Sequence, residues 1–315
     1  MGNDSQIKIF SGSASREFTE KICSILNVPI GKSEVITFSE GNTYVKIGEK
    51  VRGMDTYIIQ TIGLDPNNEF VELLFWLDAF KRSAVNSVTA IVPYFGYAKA
   101  DKKDEPRVSI RARVCADCLE VAGVDRIVTM DLHSPQIQGF FRKPVDHLYA
   151  ANIFCNQIKS MDIGSYVIAS PDEGFAKNAR YYSGKLGVPL VIGNKRRQDH
   201  NEKAEIMGVI GDVENETAVI VDDFTISCNT LIEIAKMLKD KGAKKVYAFV
   251  SHALLTKAAV EALDNSVIEK LYTTDTVHNP KIIHSKKVGI ISVSDLFAKA
   301  IKIIHEKESL HELFM

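Results

Sequence analysis

Short runs dominated by Val and Ile alternate with amphipathic stretches along nearly the whole 315-residue chain. This alternation restricts the fold more than any other feature. Apolar strands buried on both faces and separated by helices close their hydrogen bonds as a mainly parallel sheet, covered on each side. The expected class is therefore α/β. Strands are expected over 7–10, 34–38, 57–62, 88–94 and 126–132 in the first half, and over 166–170, 190–193, 218–222, 245–251 and 268–274 in the second. Apolar residues at three- and four-residue spacing predict helices over 16–26, 70–83, 111–122, 150–161, 175–186, 230–241 and 294–306. Gly123, Gly187 and Gly242 stand where three of these helices should stop.

At roughly 150 residues per domain, the length suits two domains with a sizeable core each. The border is expected near 144–150, giving domains over 1–148 and 149–315, with the last segment, 294–315, able to fold back on the first. The 39 basic and 40 acidic side chains leave a formal charge of −1, which argues against a protein that coats nucleic acid or an anionic membrane through its overall field. No apolar run approaches the ~20 residues that cross a bilayer, and the first residues lack a basic-then-apolar leader, so the reading is a cytoplasmic protein without nucleic-acid or membrane partners. Five scattered cysteines make no disulfide framework. Cys115 and Cys118 share a predicted helix with no second Cys or His pair nearby, and read as structural.

Ligands of open α/β sheets gather at the carboxyl ends of strands. Four such places carry chemistry. In 218–231, an apolar run enters Asp222 and Asp223, then a small polar turn (Ser227, Cys228, Asn229, Thr230) opens a helix. Main-chain N–H groups and hydroxyls at such a turn suit a phosphate, and paired carboxylates suit ribose hydroxyls or a hydrated Mg²⁺; a simple helix cap is the competing reading. Asp172 and Glu173 leave a second strand into a glycine turn. Lys195, Arg196 and Arg197 follow a third and lead into a polar stretch, 198–205, that reads as a mobile loop; clustered cations on a loop suit phosphate transfer. His133 follows a fourth, as a metal or phosphate contact or a structural residue. The stretch 94–107, rich in charges and aromatics, reads as a solvated loop. There is no G-x-x-x-x-G-K-[ST] and no G-x-G-x-x-G after a strand.

Taken together, IKIFSGSASRE, VRGMDTYIIQ, VELLFWLDAFKRSA, VPYFGYAKADKKD, the DLHSPQIQGFF run followed by PVD, SPDEG, NKRR, the VDDF loop and SLHELF resemble the ribose-phosphate pyrophosphokinase (phosphoribosyl pyrophosphate synthetase) family from end to end. The resemblance implies two tandem phosphoribosyltransferase-like α/β domains, each a mostly parallel sheet flanked by helices. It also implies Mg²⁺-dependent transfer of the diphosphoryl group of ATP to the anomeric hydroxyl of ribose 5-phosphate. By the same resemblance, Lys195 and Arg197 clamp the transferring phosphates, and His133 and Asp172 belong to the Mg²⁺ site. Asp222 and Asp223 take the ribose hydroxyls, with Arg197 and the turn Ile226, Ser227, Cys228, Asn229 and Thr230 on the sugar phosphate. Phe38, Glu40, Asn42, Lys99, Ala100, Asp101 and His133 fall on ATP-binding positions, Arg107 and Arg111 on an allosteric segment. The family assembles as hexamers built from dimers.

Several motif positions depart from the family pattern. Ile226 replaces a carboxylate and Asn229 a glycine, whose left-handed geometry Asn tolerates best among larger residues. Lys99-Ala100 replaces Arg-Gln, losing a planar guanidinium. Asn42, Ser109 and Arg111 stand where the family commonly has Glu, Pro and Ser. The competing reading is a paralogue of weakened or altered specificity that regulates or co-assembles with a true synthetase. A phosphoribosyltransferase is a third, against which the NKRR and His133 segments speak.

Overall fold

The structure is a computed structural model that describes residues 7–197 and 204–313, with the side chains of 195–197 and 204–207 outside the description. The described residues divide into two compact units. One contains 7–149, 275–278 and 292–313, the other those of 150–274 and 279–291.

The first unit is built on a five-stranded, wholly parallel sheet. Its strands are β1 (Ile7–Ser11), β4 (Asp55–Ile59), β5 (Ser87–Val92), β6 (Arg126–Met130) and β7 (Val145–Leu148), paired in that order. Every residue of β4 is buried, as a strand covered on both faces requires. The covering helices are α1 (Arg16–Leu26), α2 (Pro66–Arg82) and α3 (Arg111–Ala122). Proline begins α2, where a missing N–H costs nothing, and Leu73, Trp76, Leu77 and Phe80 then bury one face of it. Trp76 and Phe80 stack at 5.6 Å and both meet Phe10 of β1, at 5.7 and 5.1 Å.

Two buried carboxylates on α2 fasten the loops at the strand ends. Glu72 accepts the Ser13 N–H at 2.9 Å and the Trp76 indole N–H at 3.1 Å. Glu69 accepts the Gly63 N–H at 2.5 Å and reaches back to the Asp65 N–H at 3.2 Å. Desolvation raises the Glu69 carboxyl above its ordinary value, against the lowering effect of those N–H bonds. The helix α8 (Ser294–His305) packs on α1 through Phe297 and Phe18, edge to face at 5.4 Å.

The expected strand over 34–38 proves to be no part of this sheet. Strands β2 (Ser33–Thr37) and β3 (Thr43–Ile47) form a separate antiparallel ribbon, because only Val35, Val45 and Ile47 turn toward the core while the opposite face stays wet. The expected strands over 57–62, 88–94 and 126–132 begin near their predicted starts but end at Ile59, Val92 and Met130, freeing the residues beyond to make loops.

The second unit has seven strands in the order β10 (Ala204–Ile210), β9 (Leu190–Arg197), β8 (Tyr166–Ser170), β11 (Thr217–Thr225), β12 (Lys245–Ala253), β13 (Lys270–Thr274) and β14 (Val288–Ile291). All pairs are parallel except β10 with β9. Helices α4 (Ala151–Ser160), α5 (Ala176–Leu186), α6 (Asn229–Asp240) and α7 (Lys257–Asp264) complete it. The expected α/β class holds in both units. Left-handed Gly123 and Gly187 end α3 and α5 as expected. The polar stretch expected as a mobile loop lies outside the described residues over 198–203, while 204–205 already belongs to β10.

Replacing Glu72 by alanine strands the Ser13 and Trp76 N–H groups in the interior. Glu72→Ala is expected to lower unfolding free energy by about 2–4 kcal/mol, measured by urea denaturation.

Candidate active site

An open sheet binds ligands where the chain leaves neighbouring strands toward opposite sides. In the second unit this point lies between β8 and β11. The chain runs from β8 through α5 to β9 on one side, and comes back as β11 on the other.

The β8 end supplies one carboxylate. The buried Ser170 hydroxyl donates to the Asp172 carbonyl at 2.7 Å, and the Phe175 N–H donates to Asp172 Oδ1 at 3.1 Å. One oxygen of Asp172 therefore orders the turn into α5. Beside it, β9 passes so close that a Cβ on Gly193 would lie 2.5 Å from the Pro171 carbonyl oxygen and 2.8 Å from an Ile234 methyl. Glycine there lets the strand ending in Lys195, Arg196 and Arg197 run against the carboxylate turn. The side chains of Lys195 and Arg197 are outside the described residues; their backbone closes β9.

Two more carboxylates come from β11. The Asp223 N–H donates to Asp222 Oδ1 at 3.0 Å, and the Phe224 N–H to Asp223 Oδ1 at 2.8 Å. Desolvation, followed by the charge of Asp223, pushes the Asp222 carboxyl well above its ordinary value of 3.8, and Asp172 adds further repulsion. Asp222 as a whole is half-buried. Asp172 leaves the end of β8, and Asp222 and Asp223 lie at the end of the neighbouring β11, so carboxyl groups gather at this switch point.

The turn that follows presents Ile226, Ser227 and Asn229 outward, with Ile226 44% exposed, and turns Cys228 into the core. The Asn229 N–H meets the Ser227 hydroxyl only at 3.4 Å, and Thr230 continues the first turn of α6, whose leading N–H groups lack intrahelical partners. The left-handed residue expected at Asn229 is instead Cys228, with φ 59°, while Asn229 is already helical. Packing decides this: turning Cys228 inward seats its sulfur in the core and within 3.9 Å of Thr225 Oγ1. Burial pushes its thiol up to about 11, so it is a packing group and not a nucleophile.

In the first unit, Phe38, Glu40 and Asn42 form the exposed tip of the β2–β3 ribbon. The Phe38 N–H donates to the Asn42 carbonyl at 2.8 Å and the Asn42 amide to Glu40 at 3.2 Å, while Phe38 lies 6.1 Å from the Tyr44 ring. Its backbone hydrogen bond, then Asn42, hold the Glu40 carboxyl below its ordinary value. The loop after β5 carries Lys99, exposed, beside buried Ala100, whose carbonyl accepts the Ala112 N–H at 3.2 Å and ties the loop to α3. Asp101 is half-buried, and Arg107, at φ 69°, and Arg111, the first residue of α3, are exposed. His133 sits in the exposed turn after β6. A residue that no sequence pattern singles out supports that turn: His147 of β7, 2% exposed, accepts the Leu132 N–H on Nε2 at 2.8 Å.

Among the described residues no cluster of three His, Cys, Asp or Glu side chains is spaced as a metal site, and no helix is long and apolar enough to cross a membrane. A cavity of about 440 Å³ in the second unit lies at the opposite, amino-terminal edge of β8, β9 and β11, away from these acids.

Carboxyl groups and a hydroxyl-bearing turn at the switch point of a mostly parallel sheet define an α/β protein with its candidate site at the strand ends. Relatives make this specific. Residues 7–123 match the N-terminal domain of ribose phosphate pyrophosphokinase, and residues 195–315 the phosphoribosyl synthetase-associated domain. The ribose-phosphate pyrophosphokinase of Porphyromonas gingivalis is 42% identical over all of this chain and 99% of its own length, and that of Campylobacter jejuni 42% over 98% and 99%. The crystal structure of the Mycobacterium smegmatis phosphoribosylpyrophosphate synthetase superposes with a TM-score of 0.89 at 32% identity, covering 96% of this chain and all of that one. The chain belongs to the ribose-phosphate pyrophosphokinase family.

Because the folded state raises the Asp222 carboxyl, the unfolded chain ionises first. Stability contributed by this group is complete below pH 3.8 and falls as pH rises through the window above it. Asp222→Asn removes that slope, and its Tm at neutral pH is expected to exceed the parent's while ribose 5-phosphate binding is lost. At the turn, Cys228→Val places a branched side chain at positive φ and is expected to cost about 1–2 kcal/mol in urea denaturation, whereas Asn229→Gly should leave the KM for ribose 5-phosphate unchanged.

Proposed function

We propose that this chain transfers the diphosphoryl group of ATP to the anomeric hydroxyl of ribose 5-phosphate, giving phosphoribosyl pyrophosphate and AMP for nucleotide biosynthesis. The observation that carries the reading is the end-to-end match to ribose-phosphate pyrophosphokinases together with the acid-lined switch point of the second unit. In this reaction the anomeric oxygen bonds to the β-phosphorus, the bond from that phosphorus to the α,β-bridging oxygen breaks, and the hydroxyl loses its proton.

Asp222 and Asp223 accept hydrogen bonds from the ribose hydroxyls, which also relieves their mutual repulsion. The turn from Ile226 to Thr230 takes the 5-phosphate on main-chain N–H groups and hydroxyls at the start of α6. Ile226 does not obstruct this, since its side chain lies at the open tip. Lys195 and Arg197, on the strand beside the carboxylate turn, meet the charge spread over the transferring phosphates, where positioning and electrostatics supply most of the barrier reduction. Phe38, Glu40 and Asn42 on the ribbon, and Lys99, Ala100 and Asp101 on the loop after β5, hold ATP, with His133 at its phosphates.

Mg²⁺ fits the donor set. Asp172 offers one carboxylate oxygen beyond the one that orders its turn, and hard oxygens with room for waters are what this ion takes. When bound, it supplies Lewis-acid polarisation of phosphate oxygens. We assign His133 and Asp172 to its surroundings, Arg107 and Arg111 to an anion-responsive segment, and the working form to a cytoplasmic hexamer built from dimers.

The purified chain, given Mg²⁺, ATP and ribose 5-phosphate, is expected to form AMP and phosphoribosyl pyrophosphate in equal amounts. Absence of product over a wide substrate range sinks the reading. Lys195→Ala is expected to reduce turnover by about 10³-fold or more with an unchanged Tm, read by the same assay and by calorimetry.

A further inference from the structure

We infer that His147 is a positioning residue for the reaction: its buried imidazole, acting as a hydrogen-bond acceptor, fixes the turn that presents His133. The inference rests on the role given to His133 above.

The turn leaves β6 under strain. Asp131 has φ 39°, a left-handed conformation that a residue with a Cβ adopts at a cost. Two bonds from neighbouring β7 hold it there. The Asp131 N–H donates to the Leu148 carbonyl at 3.0 Å, and the Leu132 N–H donates to His147 Nε2 at 2.8 Å. The first is an ordinary continuation of the strand pairing. The second replaces a main-chain partner with a side chain, at the residue next to His133.

A backbone amide can only donate, so the ring nitrogen it meets must carry a lone pair. Nε2 is therefore unprotonated and the proton of the neutral ring sits on Nδ1. The Gln138 amide nitrogen, which donates to the Pro135 carbonyl at 2.9 Å, lies 3.5 Å from Nδ1, too far to set the tautomer against the shorter bond. Burial keeps water from substituting as acceptor, since His147 is 2% exposed, and the Tyr149 ring lies against it at 4.4 Å. A site geometry good to a fraction of an ångström needs this kind of support, because reacting groups are held by what holds their backbone.

The test is a double-mutant cycle in the full-length enzyme. His147→Phe keeps the ring and its packing but removes the acceptor; His147→Gln carries an oxygen at about the reach of Nε2. His147→Phe is expected to lower kcat/KM for ATP about 10- to 100-fold, with the KM for ribose 5-phosphate unmoved, and His147→Gln to recover most of the loss. In a His133→Ala background, His147→Phe should add nothing. Nitrogen NMR of the parent should show the Nδ1–H tautomer, and the Leu132 amide should lose exchange protection in His147→Phe.

Equal losses in both substrates' parameters, an additive effect in the His133→Ala background, or an Nε2–H tautomer would each overturn the inference. If His133→Ala itself leaves ATP kinetics unchanged, the role assigned to His133 falls and this inference falls with it, an outcome distinct from a silent His147→Phe beside an impaired His133→Ala.

Discussion

The burial of a carboxyl group, Asp222, beside Asp223 at the end of β11 is the constraint on which the strand ends of the second unit depend. Left to itself, each carboxylate would turn to water. Instead Phe175 N–H fixes Asp172, Asp223 N–H fixes Asp222 and Phe224 N–H fixes Asp223, so folding holds charge together at the end of β8 and β11. Desolvation, followed by the charge of Asp223, raises the Asp222 carboxyl there. On the function proposed above, sugar hydroxyls that bond to these carboxyl groups offset the cost of burying them, which links ligand binding to stability.

The two units apply the same sheet geometry differently. In the second, adjacent strands β8 and β11 bring Asp172, Asp222, Asp223 and the turn 226–230 to one edge. In the first, the positions proposed to hold ATP lie on features outside the sheet ladder: a ribbon tip, a long loop tied to α3 at Ala100, and the strained turn before His133. Loops can hold such residues because buried polar groups act as their anchors, Glu69 and Glu72 behind β1 and β4 and His147 behind β6. Each anchor satisfies main-chain donors that the end of a strand would otherwise leave unpaired.

Much of this was legible in the sequence, and the exceptions have identifiable causes. Strands buried on both faces, such as β4 and β5, announced themselves as continuous apolar runs. Strand β3, half exposed with alternating residues, and the short β7 and β14 did not. Helix α7 was missed although Thr256 caps it by accepting the Ala259 N–H at 3.1 Å, a signal of the kind that marks a helix start. The acids and the turn of the site were visible as strand-end residues. The place of the left-handed residue was not, because backbone tolerance alone favours Asn229, and burial of the Cys228 sulfur overrides it. Nor was His147, since a lone histidine in a strand carries no local pattern and its partner, Leu132, lies on another strand's exit.

On the function proposed above, ribose 5-phosphate sits at the edge between β8 and β11. A crystal structure of the enzyme with ribose 5-phosphate tests it most directly. The phosphate is expected on the main-chain N–H groups and hydroxyls of 226–230, with ribose hydroxyls within hydrogen-bond distance of Asp222 and Asp223. A sugar phosphate bound elsewhere, with this acid cluster facing only water, would contradict it.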